Sequence, residues 1–390
     1  MGDPTEGGRF VFVVPEEERY GPGRGGAIAT CIREMSREML ATGSTVRVIS
    51  PRSGEAPYRE GMVTTLARSG DPRSTFERVI RSALGRVLPR HWGPRARYVA
   101  GVRNAVHSGE RVVVSNDPEL AALLAGDGTE VVLWVHNYLS GAARDALGRL
   151  PRSVAIAAVS DSVREWTEQS VGPDASRPVT VYNGVNRATF PPAVRTSDAV
   201  APVRVIIPGR IDPNKGQLLA INAVAEAYRR GMRSVEVSVM GGVQTFGHAY
   251  EAVATYQDEL LRAGREVGAV FLGRVDTDHV GSILRSHDIA LVLPLVPEPF
   301  GLAALEAMAS GCAVIAVPTG GSTEVLGDGA MLVGPDVGEV ASALQRLVED
   351  PELRQRLSKR AIDTSMRFSW AESAAALLDI TGRGRRAATG

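Results

Sequence analysis

Cysteine and lysine are the scarce residues of this 390-residue chain, with two of each. Cys31 and Cys312 lie far apart and cannot build the disulfide framework of a small secreted domain, so a reducing compartment is expected. Lysine occurs only at Lys215 and Lys359, and every other side chain in the Lys-plus-Arg count of 44 is arginine. The 44 Asp and Glu balance those cations, which excludes the net positive field that concentrates nucleic acid. No apolar run approaches the ~18–20 residues of a membrane-spanning helix. The opening MGDPTEGGRF lacks the basic-then-apolar pattern of a signal peptide. A cytoplasmic protein with no nucleic-acid partner is the expectation.

What is present is ordinary for a globular chain. The hydrophobic fraction is 44%, and the length suits two α/β domains, because single cores stop growing near ~250–300 residues. Phe10–Val14 is a short β-branched run closed by Pro15, the pattern of a buried parallel strand. A glycine-rich loop, a helical spacing over Ala27–Thr42 ended by Gly43, and a strand at Thr45–Ile49 complete a βαβ opening. Further strands are expected at 111–114, 131–134, 154–159 and 179–182, with a short helix over 161–171. Residues 186–202 carry Pro191, Pro192 and Pro202, with little periodicity, and read as a connection. The second half repeats the alternation, with strands near 203–207, 234–240, 270–272, 289–293, 313–317 and 330–333. Helical patterns lie at about 216–230, 250–266, 278–286, 302–310 and 338–348, and a last helix over 370–378 follows Phe368-Ser369-Trp370. The expected division is a first domain over 1–190, a linker over 191–202, a second domain over 203–368, and a terminal helix over 369–381 that returns to the first domain. Parallel-sheet domains take ligands at the carboxyl ends of strands, so residues just after strands are the candidates.

The strongest segment is Pro294–Val325, which begins where a buried strand ends. Glu298 falls in the loop, Pro299-Phe300-Gly301 makes a turn, Leu302 opens a helix, and Glu306 follows one turn in. A helix start offers free N–H groups and a positive dipole end to a phosphate, while the carboxylates can accept hydrogen bonds from hydroxyls. A second segment, Gly209-Arg210-Ile211-Asp212-Pro213-Asn214-Lys215-Gly216, puts two cations on a strand-to-helix turn, which suits a diphosphate. One of the chain's two lysines sits there. Gly25-Gly26 in the first glycine-rich loop and His136 just past a strand complete the set, with Ser160-Asp161, Asn183-Gly184 and Gly241-Gly242 as smaller signals.

In order and spacing this set resembles the retaining glycosyltransferases of family 4. Glu298 and Glu306 match that family's Glu-x7-Glu, Gly209-Arg210 to Lys215-Gly216 its G-R-x-x-x-x-K-G, Gly25-Gly26 its G-G loop, His136 its strand-end histidine, and Asn183-Gly184-Val185 its N-G-V. The resemblance covers nearly the whole chain. It implies an α/β fold of the GT-B kind, two Rossmann-like parallel-sheet domains facing across a cleft. It also implies a nucleotide-sugar co-substrate with no cofactor and no metal. Glu306 would bind the ribose, Glu298 the transferred sugar, and Arg210 and Lys215 the diphosphate. Phe300, Gly301 and Leu302 would offer backbone amides, His136 would contact the sugar near the reacting carbon, and Gly273, Arg274 and Val275 would flank the base. Arg210, Lys215, Glu298 and His136 are thus the expected catalytic set, acting by positioning and charge stabilisation. The implied donor is a UDP-hexose. The implied acceptor is a small molecule or glycan, either an aminocyclitol antibiotic intermediate or an envelope polymer or glycolipid.

Other readings of the same residues are open. Gly21-Pro-Gly23-Arg-Gly-Gly26 formally matches G-x-G-x-x-G, but Pro15 to Tyr20 separate it from the strand, unlike a dinucleotide fingerprint. Asp276-Thr277-Asp278 matches a D-x-D metal pattern, yet it stands where a helix begins and capping residues are expected. Residues 52–103 hold eleven Arg against four acidic residues. The stretch 78–103 within them is a solvated face, an acceptor contact or a peripheral membrane contact. A nucleotide-sugar 2-epimerase would need an acid and base pair on the sugar, which this sequence does not advertise. A non-catalytic binder of nucleotide sugars would have no reason to keep the full set of charged residues.

Overall fold

The computed structural model describes residues 8–22, 26–67, 95–193, 202–243 and 250–388. The chain forms two compact units: Met1–Tyr182 together with Trp370–Gly390, and Asn183–Ser369. Each is an α/β layer structure built on a parallel sheet.

Unit one runs β1 (Arg9–Val13), α1 (Ala27–Ala41), β2 (Thr45–Pro51), β3 (Met62–Leu66), α2 (Ala96–Ala105), β4 (Arg111–Ser115), α3 (Pro118–Gly126), β5 (Glu130–Val135), α4 (Gly141–Leu147), β6 (Val154–Ala158), α5 (Asp161–Glu168) and β7 (Val179–Thr180). The strands lie in the order β3-β2-β1-β4-β5-β6-β7, and all neighbours pair in parallel. Phe10, Val11 and Phe12 of β1 and Val112, Val113 and Val114 of β4 are buried, as strands covered on both faces require. Helix α1 buries Ile28, Ile32, Met35 and Met39 at helical spacing and ends at Thr42, after which Gly43 takes φ +84°. The terminal helix, Trp370–Ala388, packs on α1, and Ser373 Oγ donates to the Tyr182 carbonyl at 2.5 Å.

Strand β3 was not expected from the sequence. It is an edge strand of mixed exposure, and Met62 is 68% exposed, so its apolar signal is weak. Of the basic stretch 78–103, residues 78–94 lie outside the described residues. In the remainder, Arg95 pairs with Asp117 and Glu119, and Arg103 with Asp127 at 2.9 Å.

Unit two runs β8 (Arg204–Pro208), a 3-10 turn (Pro213–Lys215), α6 (Gln217–Arg229), β9 (Glu236–Met240), α7 (Tyr250–Glu266), β10 (Val270–Gly273), α8 (Thr277–Arg285), β11 (Ile289–Val292), α9 (Leu302–Ala309), β12 (Ala313–Ala316), α10 (Ser322–Leu326), β13 (Ala330–Leu332), α11 (Val337–Glu349) and α12 (Pro351–Ser365). Its strand order is β10-β9-β8-β11-β12-β13, again all parallel. Ile207, Val239, Leu291 and Ile315 from the sheet meet Ile221, Val224, Leu344 and Leu347 from α6 and α11 in one core. Each such side chain contributes about 1.5–3 kcal/mol by leaving water. The residues leading into β8 belong to this unit: Val185 N–H donates to the Phe368 carbonyl at 3.2 Å, and Ala193 N–H to the Ser310 carbonyl at 3.1 Å. Strand order reverses between β8 and β11, and it is at such a switch that doubly wound sheets open a crevice.

Candidate functional site

The turn after β8 is fixed by its own sequence. Asp212 caps the 3-10 turn, its Oδ1 accepting the Asn214 N–H at 2.9 Å, and Pro213 supplies the preset φ of the first position. Gly216 then adopts φ +71°, and a Cβ there would stand 1.9 Å from the Leu293 carbonyl oxygen. Only glycine fits, so the end of the turn is pressed against the end of β11. Asn214 completes the join, its carbonyl accepting the Leu295 N–H at 2.9 Å.

That join brings two of the expected residues into direct contact across the switch point. Lys215 Nζ donates to Glu298 Oε2 at 2.5 Å, with the side chains 28% and 19% exposed. Arg210, 40% exposed, holds its guanidinium 3.2 Å from the buried Asp212 carboxylate. Glu298 lies in a bridge with Gly320 of the loop after β12. Gly301, at φ +100°, fits between that carboxylate's stem and Ser322: a Cβ would stand 3.9 Å from Glu298 Cγ and 3.1 Å from Ser322 Cβ. Helix α9 starts at Leu302 with no side chain capping it, so its first amides stay available for an external acceptor. Phe300 is buried edge-on against Phe368, ring centroids 5.7 Å apart, which pins the turn before the helix. Glu306 is the fifth residue of α9 and partly exposed. The arrangement places two cations, a carboxylate and a helix N-terminus at one strand-end crevice, which can hold an anion that also carries hydroxyl groups.

The neighbouring loops are laced together by glycines. Gly209 N–H donates to the Met240 carbonyl and Gly241 N–H to the Gly273 carbonyl, each at 2.9 Å. Gly241 takes φ +151°, with Gly209 oxygen 1.9 Å from where a Cβ would lie, and Gly273 takes φ +65°. Arg274, exposed, has its Cβ 3.1 Å from the Cβ position of Gly242, and Val275 follows, partly exposed. Asp276 precedes α8 in the N-cap position, although its side chain makes no capping hydrogen bond. Among the described residues no group of three or more His, Cys, Asp or Glu could hold a metal. A depression of about 490 Å³ lined by Pro294, Leu295, Thr319, Leu332, Val333 and Glu339 adjoins the Glu298 loop but contains none of the expected residues.

Three expected residues, His136, Gly25 and Gly26, fall within the residue ranges of unit one. His136, after β5, is buried, and loss of water pushes its pKa down to about 3, so the ring is neutral at physiological pH. Among the described residues its Nε2 has no hydrogen-bond partner, and neither do Trp134 Nε1 and Ser115 Oγ at the ends of β5 and β4. The His136 ring centroid lies 4.2 Å from that of Trp134, and the backbone N–H of His136 donates to Asn116 Oδ1 at 2.7 Å. Asn116 has φ +55°, the single positive φ outside glycine among the described residues. Such strain collects at functional edges. Gly26 caps α1 by backbone alone, and the Glu18 carboxylate already sits there, accepting the Ala29 N–H at 3.1 Å. A Cβ on residue 26 would meet Glu18 Oε1 at 2.7 Å. Gly25 lies outside the described residues. Asp212 and Gln217, which hold the Arg210 turn, and Asn116 were missed in the sequence. The Asp-Pro-Asn turn was the available signal for the first.

Residues 25–189 match the family model described as Glycosyltransferase Family 4, and residues 199–364 match the one described as Glycosyl transferases group 1. A D-inositol 3-phosphate glycosyltransferase 2 of Catenulispora acidiphila is 29% identical over 315 residues, covering 75% of this chain and 67% of that protein. A phosphatidyl-myo-inositol mannosyltransferase of Mycolicibacterium smegmatis is 32% identical over 230 residues, covering 57% of this chain and 55% of that one. Among solved structures, Anabaena HepE in complex with UDP and glucose aligns with a TM-score of 0.71 at 18% identity, over 96% of this chain and 99% of that one. At that identity the likeness shows the fold. Among the described residues, no helix is long and apolar enough to cross a membrane.

Proposed function

The chain belongs to the group 1, family 4 glycosyltransferases, and from that premise we propose that it moves a hexose from a UDP-linked donor to a hydroxyl of a cyclitol-type acceptor, with retention at the anomeric carbon and without a metal ion. The observation that carries this reading is the Lys215–Glu298 contact at the β8/β11 switch point, beside the uncapped start of α9. Arg210 and Lys215 hold the diphosphate, and the first amides of α9 take part of its charge. Glu298 accepts hydrogen bonds from the sugar hydroxyls, exchanging part of its contact with Lys215 for them. Glu306 takes the ribose diol, and Gly273, Arg274 and Val275 border the base.

In the transfer step the acceptor oxygen attacks the anomeric carbon from the face the diphosphate leaves. The carbon–oxygen bond to phosphate breaks, and the acceptor proton passes to the departing phosphate oxygen. The products are the glycosylated acceptor and UDP, and no protein base is needed. Catalysis comes from alignment and from charge stabilisation on the leaving group. A cyclitol acceptor is supported by the two inositol-related relatives, an aminocyclitol being the nitrogen-bearing version of the same ring. The second of them also favours a lipid-linked variant, in which the acceptor ring sits on an envelope glycolipid.

The test is calorimetric titration with UDP, GDP, TDP and ADP in EDTA, followed by transfer assays on inositol phosphate and an aminocyclitol. UDP binding that weakens at least about tenfold in Arg210→Ala and in Glu306→Ala is expected, since each loses charge-assisted hydrogen bonds. A product anomer inverted relative to the donor, or transfer abolished by EDTA, overturns the mechanism. UDP release without any acceptor present would point to hydrolysis instead of transfer.

A further inference from the structure

We propose that Asp212 is a positioning residue that fixes both cations of the turn, Arg210 and Lys215, for the donor diphosphate. This inference rests on the donor reading above. Asp212 is 1% exposed and uses three of its groups on the turn. Oδ2 lies 3.2 Å from Arg210 Nη2. Oδ1 accepts the Asn214 N–H at 2.9 Å, and the backbone carbonyl accepts the Lys215 N–H at 2.9 Å. One residue therefore sets the direction of the guanidinium and the winding of the turn that carries the ammonium group.

The rest of the Arg210 anchorage comes from the opposite side. Gln217 Nε2 donates to the Arg210 carbonyl at 2.6 Å, and Tyr256 OH donates to Gln217 Oε1 at 3.1 Å. The same tyrosine oxygen accepts the Leu218 N–H at 3.1 Å, tying the network to the start of α6. Arg210 is thus held at its carbonyl by Gln217 and at its tip by Asp212, with its side chain 40% exposed.

Electrostatics alone argues against a carboxylate here. A buried negative charge beside an anion site lowers the potential that attracts the anion, and its own burial is costly. Its presence is explained when alignment is worth more than the charge it cancels, because a planar fork gains its strength from direction. The two accounts therefore differ in sign. If Asp212 only balances charge, its neutralisation strengthens nucleotide binding. If it positions Arg210, neutralisation weakens binding.

The experiment uses the full chain with Asp212→Asn, which can keep the Asn214 cap through its amide oxygen but turns an NH₂ toward the guanidinium. UDP affinity is measured by calorimetry, and kcat and KM for the donor by release of UDP. A loss of about tenfold in affinity is expected, with kcat reduced as well because misalignment persists into the transition state. In an Arg210→Ala background the same change should add nothing, since the two residues act through one interaction. A purely structural role would carry its penalty into that background. If Asp212→Asn does not fold, Arg210→Lys serves: it keeps the charge and loses the fork, and undiminished binding in it overturns the inference. Unchanged or tighter UDP binding in Asp212→Asn, where wild type binds UDP and Arg210→Ala binds it more weakly, overturns this inference alone. A wild-type chain that binds none of the four nucleotides overturns the donor reading and this inference together.

Discussion

Acidification should weaken unit one through His136. Its folded pKa is depressed to about 3 by burial, against about 6.5 for a histidine in an unfolded chain. The sign follows from linkage. The neutral form is the folded form, so the unfolded chain binds the extra proton first. Stability is therefore fully present above the unfolded value and is lost as pH falls below it, down to the folded value. Between pH 7 and pH 5 the loss from this one group is about 2 kcal/mol. Urea unfolding at both pH values measures it, followed by tryptophan fluorescence. Trp92, Trp134, Trp166 and Trp370 all fall within the residue ranges of unit one, so the signal reports that unit and not the other. His136→Gln carries no such ionisation. It will start less stable, having lost the ring contact with Trp134, but its stability should fall less on acidification, by about the same 2 kcal/mol. Equal losses in wild type and variant would refute the claim that the ring is held neutral.

Two further changes probe the framework. Gly216→Ala places a Cβ 1.9 Å from the Leu293 carbonyl oxygen at φ +71°. It should destabilise unit two by about 3 kcal/mol or more, read as a lowered midpoint in circular dichroism melts. Arg47→Met removes the cation 2.6 Å from Glu110, whose side chain is only 2% exposed. Among the described residues the buried carboxylate then keeps only His107, whose backbone N–H donates to Oε2 at 2.7 Å and whose ring Nδ1 lies 3.8 Å from Oε1. Loss of its arginine should cost about 3 kcal/mol in urea unfolding by fluorescence, and an unchanged midpoint would show that solvent reaches it.

The alternation of the fold was legible because its strands are short buried runs: β4, β5, β8 and β12 are nearly all Val, Ile, Leu and Ala between turn residues. Helix α12 was not seen. It buries little beyond Leu357, Ser358, Ala361 and Thr364, so its period is masked by charged residues, and its better signal was the Asp350-Pro351 cap. Strand β7 shrank to two residues, because pairing with β6 ends after Thr180. At the candidate site, the Lys215–Glu298 contact could be guessed from two separate motifs. The occupation of the α1 start by Glu18 could not, since it joins residues eleven positions apart across a loop. The cap that Asp212 makes is local, and the Asp-Pro-Asn order was its available signal. Its hold on Arg210 is visible only when the turn is seen in space.

Unit two is one continuous stretch of chain, whereas unit one is assembled from two stretches with all of unit two between them. The order of synthesis then becomes an order of assembly. The parallel sheet of unit one and its helix α1 leave the ribosome before unit two, yet the helix that packs on α1 is made after it. At about 5–20 residues per second the intervening stretch takes roughly ten to forty seconds to translate. During that interval α1 waits without its partner, while the Asn183–Ser369 segment has everything it needs to close. The half of the molecule begun first is finished second, and its exposed helix face is the one a nascent chain has to keep from its neighbours.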